Sequence, residues 1–154
     1  MLRFLKAMRK YVSKWAYLAC AIDTEGTITI HKILYKQRLK PTFSPVIMIV
    51  NTDLKWLQFL VKDFQLNGSI HTRKKTPKHK IVYCLTLSKL QQIIPKIRPY
   101  IKIKREQLKL IQSLLTINNE IMFGSGACPE LFRKQTALYE QCKKLNKRGT
   151  DDEV

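Results

Sequence analysis

The sequence predicts an α+β fold in which a helix precedes two pairs of strands, each pair followed by a helix. Three observations predict it. An apolar, helix-permissive run from Trp15 to Ile22 ends in the acids Asp23 and Glu25 just before Gly26. After Gly26 the hydrophobic period changes from helical to two. Downstream of an amphipathic helix, the segments 68–74 and 80–87 read as a second pair of strands. The predicted order is α-β-β-α-β-β-α, then α-α.

Residues 1–14 carry Arg3, Lys6, Arg9, Lys10 and Lys14 and no acid. They read as a basic arm, as a helical lead into the next segment, or as an organellar transit peptide; the helix-compatible pattern through Lys14 favours the first two. In the run that follows, Ala16, Ala19, Cys20 and Ala21 are small, and Gly26 is expected at the left-handed C′ position. Thr27, Thr29 and His31 then alternate with Ile28 and Ile30, giving a strand with one polar and one core face. Phe43 to Val50 is the next strand, introduced by Lys40 and Pro41. Thr52 or Asp53 caps a helix with the apolar stripe Leu54, Leu57, Leu60, Val61 and Phe64, ending at Asn67 and Gly68. The hairpin loop at 75–79 is almost all basic or turn-forming. Ser88 caps a short helix through Ile97, and a helix from Lys104 to Met122 carries the stripe Leu108, Ile111, Leu115 and Ile117. Gly124, Ser125 and Gly126 form a break before a last helix that starts with Pro129 in its first turn and runs to about Asn146. Residues 1–154 make a single domain, with a frayed tail at 148–154.

Composition narrows the function. A chain of 154 residues with 45% apolar residues buries a core without staples, and its formal charge of +18 calls for a polyanionic partner, nucleic acid first. The four cysteines show no metal or disulfide spacing, which fits a reducing compartment. No apolar run near the acids is long enough to span a bilayer and no signal peptide precedes them, so a cytoplasmic or organellar protein is expected. The acids stand out against this background. Residues 1–52 contain two acids, Asp23 and Glu25, among nine Lys and Arg, and 64–105 carry eleven Lys and Arg with no acid. Acids in the last turn of a helix face the negative end of its dipole, at about 0.3–1 kcal/mol each. A cap or a solvated turn is the plain explanation; a bound cation that offsets dipole and repulsion is the functional one.

The stretch from Leu18 to Gly26 resembles the LAGLIDADG motif of homing endonucleases and related maturases. Leu18, Ala19, Ile22, Asp23 and Gly26 match it letter for letter, and Glu25 stands as an acid at the second Asp. Cys20 for Gly, Ala21 for Leu and Thr24 for Ala are the departures. The order of elements from about Trp15 to Leu115 matches the family's αββαββα, here with extra C-terminal helices. The resemblance implies a four-stranded antiparallel DNA-binding sheet backed by helices, with Ala16, Ala19 and Cys20 of the motif helix at a dimer interface. A single motif implies the homodimeric branch. The implied activity is site-specific double-strand DNA cleavage by an intron- or intein-encoded homing endonuclease at a long pseudo-palindromic target, with Mg²⁺ as cofactor and Mn²⁺ able to substitute. An RNA-binding maturase and a catalytically inactive DNA-binding protein of the same fold are the alternatives.

The resemblance also implies roles for residues. Glu25 matches the catalytic, metal-binding acid, with the Thr24 backbone carbonyl as a second ligand; Asp23 is either a structural acid or a further ligand. Lys104 resembles the lysine beside the scissile phosphate, with Lys102 as rival on the same face. Asn51 resembles a solvent-ordering polar residue of the catalytic site, and helix capping explains it equally well. On the polar sheet face, Thr27, Thr29, His31, Tyr35, Thr42, Ser44, His71, Arg73 and Tyr83 are candidates for reading bases, Arg73 foremost for guanine. Lys36, Arg38, Lys40, Lys74, Lys75, Lys78 and Lys80 are candidates for phosphate contacts.

Overall fold

The computed structural model describes residues 2–36, 40–73, 81–122 and 128–147, and their side chains except at 2–13 and 73. Arg38, Lys74, Lys75, Lys78 and Lys80, the loop at 75–79, the break at 124–126 and the tail at 148–154 lie outside the described residues. The elements are α1 (Leu2–Glu25), β1 (Gly26–Ile33), β2 (Thr42–Asn51), α2 (Leu54–Phe64), β3 (Gly68–Arg73), β4 (Val82–Leu87), α3 (Leu90–Ile97), α4 (Arg105–Glu120) and α5 (Pro129–Asn146). This is the predicted order. The helical reading of the basic N-terminal residues holds, since α1 runs unbroken from residue 2. The four strands form one sheet in the order β1-β2-β4-β3. The pairs β2–β4 and β3–β4 are antiparallel. No helix among the described residues is long and apolar enough to cross a membrane.

The chain divides into two compact units, one of residues up to 27 and 47–105, the other of 28–46 and 106 onward. In the first, α1 packs on α3, and α2 on β3 and β4. Trp15, Leu18, Ala19 and Ile22 of α1 are buried together with Leu57, Leu60 and Phe64 of α2, Ile47 and Ile49 of β2, and Leu85 and Leu87 of β4. Each large aliphatic side chain buried in this way stabilises the fold by about 1.5–3 kcal/mol. In the second unit, Ile28, Ile30 and Phe43 are buried with Leu108, Ile111 and Leu114 of α4 and Cys142 of α5. The Phe43 ring lies 5.8 Å from Phe132 and 5.6 Å from Tyr139. On α4 it is Leu114, not the expected Leu115, that is fully buried. Pro45 sits inside β2 but before Met48, where the register with β4 begins, so its missing N–H breaks none of those pairs.

Several local signals act differently from the sequence expectation. Gly26 is not left-handed: α1 runs directly into β1, and a Cβ there would lie 2.6 Å from the Ile22 carbonyl oxygen and 2.7 Å from Ile22 Cα. Glycine is needed because backbone meets backbone, not because the turn needs a positive φ. Helix α2 ends earlier than Asn67, at Gln65, which takes the left-handed conformation with φ 50°. Its cap is Asp53, whose carboxylate accepts the Trp56 N–H at 3.1 Å. Ser88 does not cap α3; Lys89, at φ 52°, precedes it without a side-chain cap.

Candidate functional site

The C-terminal end of α1 gathers the residues with the most specific chemistry, and it does so within one unit of the chain. Asp23 is only 9% exposed, and its carboxylate accepts three backbone N–H groups from the segment leading into α4. Oδ2 accepts from Lys102 at 2.7 Å and Ile103 at 3.2 Å, and Oδ1 accepts from Lys104 at 3.1 Å. Three consecutive N–H groups converging on one carboxylate form a charge-assisted clamp, worth more than neutral bonds. The clamp brings the Lys104 side chain back onto α1, where its ammonium donates to the backbone oxygens of Ile22 at 3.0 Å and of Asp23. Carbonyls in the last turn of a helix have no partner within the helix, and a cation there meets the negative end of the dipole. Much of the cost of placing acids at this helix end is therefore offset by Lys104.

Glu25 and Thr24 are exposed. The Thr24 hydroxyl donates back to the Cys20 carbonyl at 3.0 Å, and the Thr24 carbonyl belongs to the last turn of α1, where carbonyls have no partner within the helix. Among the described residues, the Glu25 carboxylate makes no side-chain hydrogen bond or ion pair. The donors available here, one carboxylate and one carbonyl, are hard oxygens. They fit Mg²⁺, which typically takes one or two carboxylates and completes its shell with water and substrate phosphate. No group of three His, Cys, Asp or Glu suited to a metal occurs among the described residues. Both Asp23 oxygens accept from the backbone clamp. Of the two lysines, Lys104 reaches α1, while Lys102 is exposed.

The Asn51 carbonyl oxygen accepts the Asp53 N–H at 2.8 Å, an Asx turn that leads into the α2 cap. On α1, Ala16 is half-buried and Cys20 and Thr24 exposed, a row at i, i+4, i+8 on one side of the helix. Ala19 is not on that side. It is fully buried within its own chain, spaced with Trp15, Leu18 and Ile22 in the core stripe, and so cannot line a free interface.

On β1, Thr27 and Thr29 are half-buried and His31 exposed, alternating with buried Ile28 and Ile30. Thr42 and Ser44 are half-buried on β2, alternating with Phe43. Tyr35 lies beyond the end of β1, and exposed Lys40 has its ammonium 5.5 Å from the Phe132 ring centroid. His71 shares a strand face with Ser69, whose hydroxyl is 2.8 Å from its Nε2. Arg73 follows two residues later on β3. Tyr83 corrects the expectation: it pairs with Thr72 and Asn51, on the face of Leu85 and Leu87, and therefore opposite His71. The residues of β2 and β4 on the side of His71 are instead Met48, Val50, Cys84 and Thr86. Their side follows from alternation with the buried Ile47, Ile49 and Leu85, a signal available in the sequence.

A helix leading through a ββαββα order, with the strands in one four-stranded sheet, is the LAGLIDADG homing-endonuclease fold, and this chain has that fold. No family model and no curated protein matches the chain in sequence. Among solved structures it is similar to the homing endonuclease I-CvuI in complex with its target in the presence of Ca, at 19% identity and a TM-score of 0.72, over 94% of this chain and 89% of that one. The archaeal intron-encoded homing endonuclease I-Vdi141I, complexed with DNA, is similar at 16% identity and TM-score 0.71, over 92% and 89%. The LAGLIDADG homing endonuclease I-SmaMI bound to cleaved DNA is similar at 18% and 0.65, over 86% of this chain but only 44% of that one.

Proposed function

We propose that the chain is one subunit of a homodimeric, divalent-metal-dependent homing endonuclease that cuts both strands of a long, pseudo-palindromic DNA site. The observation that carries this reading is the end of α1: one acid is locked into the fold by three N–H bonds, and the other is presented to solvent beside a carbonyl and a fixed lysine. The net charge of +18 supports a polyanionic substrate. All three structures compared above are homing endonucleases, each bound to its target or to DNA. The chain matches most of I-CvuI but under half of I-SmaMI, which supports one catalytic half per chain and hence two chains per duplex dyad.

In this reading Glu25 and the Thr24 carbonyl hold the divalent ion. Such an ion, when bound, neutralises charge on the scissile phosphate and lowers the pKa of a coordinated water. Asp23 acts as a positioning residue by fixing the 102–104 segment. Lys104, anchored on the α1 carbonyls, places positive charge at the same helix end and stabilises charge that develops on the phosphate. Asn51 holds the turn between β2 and α2. The polar residues Thr27, Thr29, His31, Thr42, Ser44, His71 and Arg73 contact base edges, and the lysines around them contact phosphates. Ala16, Cys20 and Thr24 form the α1 side that meets the second copy.

The experiment is cleavage of plasmids bearing the interrupted gene's rejoined flanks, with Mg²⁺. The wild type makes one discrete double-strand cut; Glu25→Gln binds the same site within a few fold but leaves it intact. Full cleavage by Glu25→Gln removes Glu25 from the site, and metal-independent binding without cutting by the wild type removes the nuclease.

A further inference from the structure

We infer that the sheet reads thymine 5-methyl groups at two positions in each half-site, through an apolar strip on its central strands; this rests on the DNA-binding reading above. Two cross-strand rows carry the inference. In one, Val50 of β2 pairs with Cys84 of β4, which pairs with His71 of β3; in the other, Met48 pairs with Thr86, which pairs with Ser69. Paired residues share a face, and both rows alternate with Ile49 and Leu85, which are fully buried. The rows therefore lie on the side away from that core.

The two rows have a common gradient. Their β3 members, Ser69 and His71, are exposed and hydrogen-bond each other at 2.8 Å, so they can donate to or accept from base edges. Their β2 and β4 members have little to offer a hydrogen bond. Met48 and Val50 are apolar and half-buried, and half-buried Thr86 brings a methyl beside its hydroxyl; Cys84, a small hydrophobe, is itself buried between them, which leaves Val50 to present its row. In a chain of net charge +18, an apolar strip bordered by hydrogen-bonding groups suits a polyanion that itself carries apolar points. In the major groove the one such point is the thymine methyl. Same-face residues two apart along a strand are about 6.8 Å apart. Base pairs rise about 3.4 Å each. With the strands lying along the groove, the two rows meet base pairs two steps apart.

The test uses the wild-type protein and a target selected by binding from a random duplex library. Each thymine of that target is then replaced singly by deoxyuridine, which deletes only the methyl. Two positions per half-site, two base pairs apart, should lose affinity by about fourfold, the value of one buried methyl group. Val50→Thr, which exchanges one of the two methyls for a hydroxyl, should weaken the effect at one of the two and leave the other. The uracil scan stands whether or not that variant folds. Uniform indifference to uracil, or a scan unchanged by a folded Val50→Thr protein, overturns the inference while leaving the DNA-binding reading intact. Recovery of no preferred sequence by the wild type overturns both.

Discussion

Replacing Asp23 with Asn tests the clamp that builds the site. The carboxylate accepts three backbone N–H groups at 2.7–3.2 Å through both oxygens. An amide keeps one oxygen, and its NH₂ group must face at least one N–H donor. The best case puts the remaining oxygen at the Oδ2 position, retaining Lys102 and Ile103 and leaving the Lys104 N–H against another donor. One charge-assisted bond is then lost, at about 1.5–3 kcal/mol, and the two that survive are weakened to neutral strength. The sum is about 3 kcal/mol, which for a chain of this size lowers Tm by about 6–12 °C. Urea and thermal unfolding followed by circular dichroism measure it. Because Lys104 is held by the same segment, the variant should also cut more slowly on DNA it still binds. A stability loss under about 0.5 kcal/mol would refute the reasoning, since that is the level expected of an exposed substitution.

Gly26→Ala places a methyl against the Ile22 backbone, which has no side-chain freedom to yield, so a loss of about 1–3 kcal/mol in the urea midpoint is expected. Ala16→Leu should weaken the dimer by about 1–3 kcal/mol through overpacking while leaving chain stability nearly unchanged, as read by sedimentation. The exposed Cys20 thiol should then gain reactivity toward an alkylating reagent; a wild type that is strictly monomeric on DNA would sink this expectation. Burial pushes the Cys142 thiol up, against the opposing hydrogen bonds of Ile30 and Thr29. The raised value means its contribution to stability is complete below the unfolded thiol's value of about 8.5 and is lost as pH rises through the folded value. Cys142→Ala should therefore show a shallower fall of the urea midpoint above that pH than the wild type, and parallel curves would contradict the assignment.

What could be read from the sequence was set by local pattern. The change of period at Gly26 and the two strand pairs identify the order of elements, because amphipathic helices and half-buried strands must show those periods to bury a face. The placing of Asp23 and Glu25 at a helix end was likewise legible, through the small apolar run before them and the glycine after. What escaped depends on contacts that sequence spacing does not record. Asp23 meets N–H groups 79 to 81 residues away, and no local signal announces backbone donors. Gln65 and Lys89 adopt left-handed conformations although neither residue type marks one. The resemblance puts Ala19 at a dimer interface, yet its spacing with Trp15, Leu18 and Ile22 places it in the core stripe. Tyr83 is expected on the polar sheet face, whereas strand parity with Leu85 and Leu87 decides its face.

The most direct test of the account is to map the ends produced by a mixed dimer of wild-type and Glu25→Gln chains on the selected target with Mg²⁺. If each chain's Glu25 serves one strand, the wild-type dimer cuts once in each strand at positions related by the target's dyad, and the mixed dimer nicks one strand only. Double-strand cutting by the mixed dimer, or wild-type cuts with no dyad relation, would contradict it.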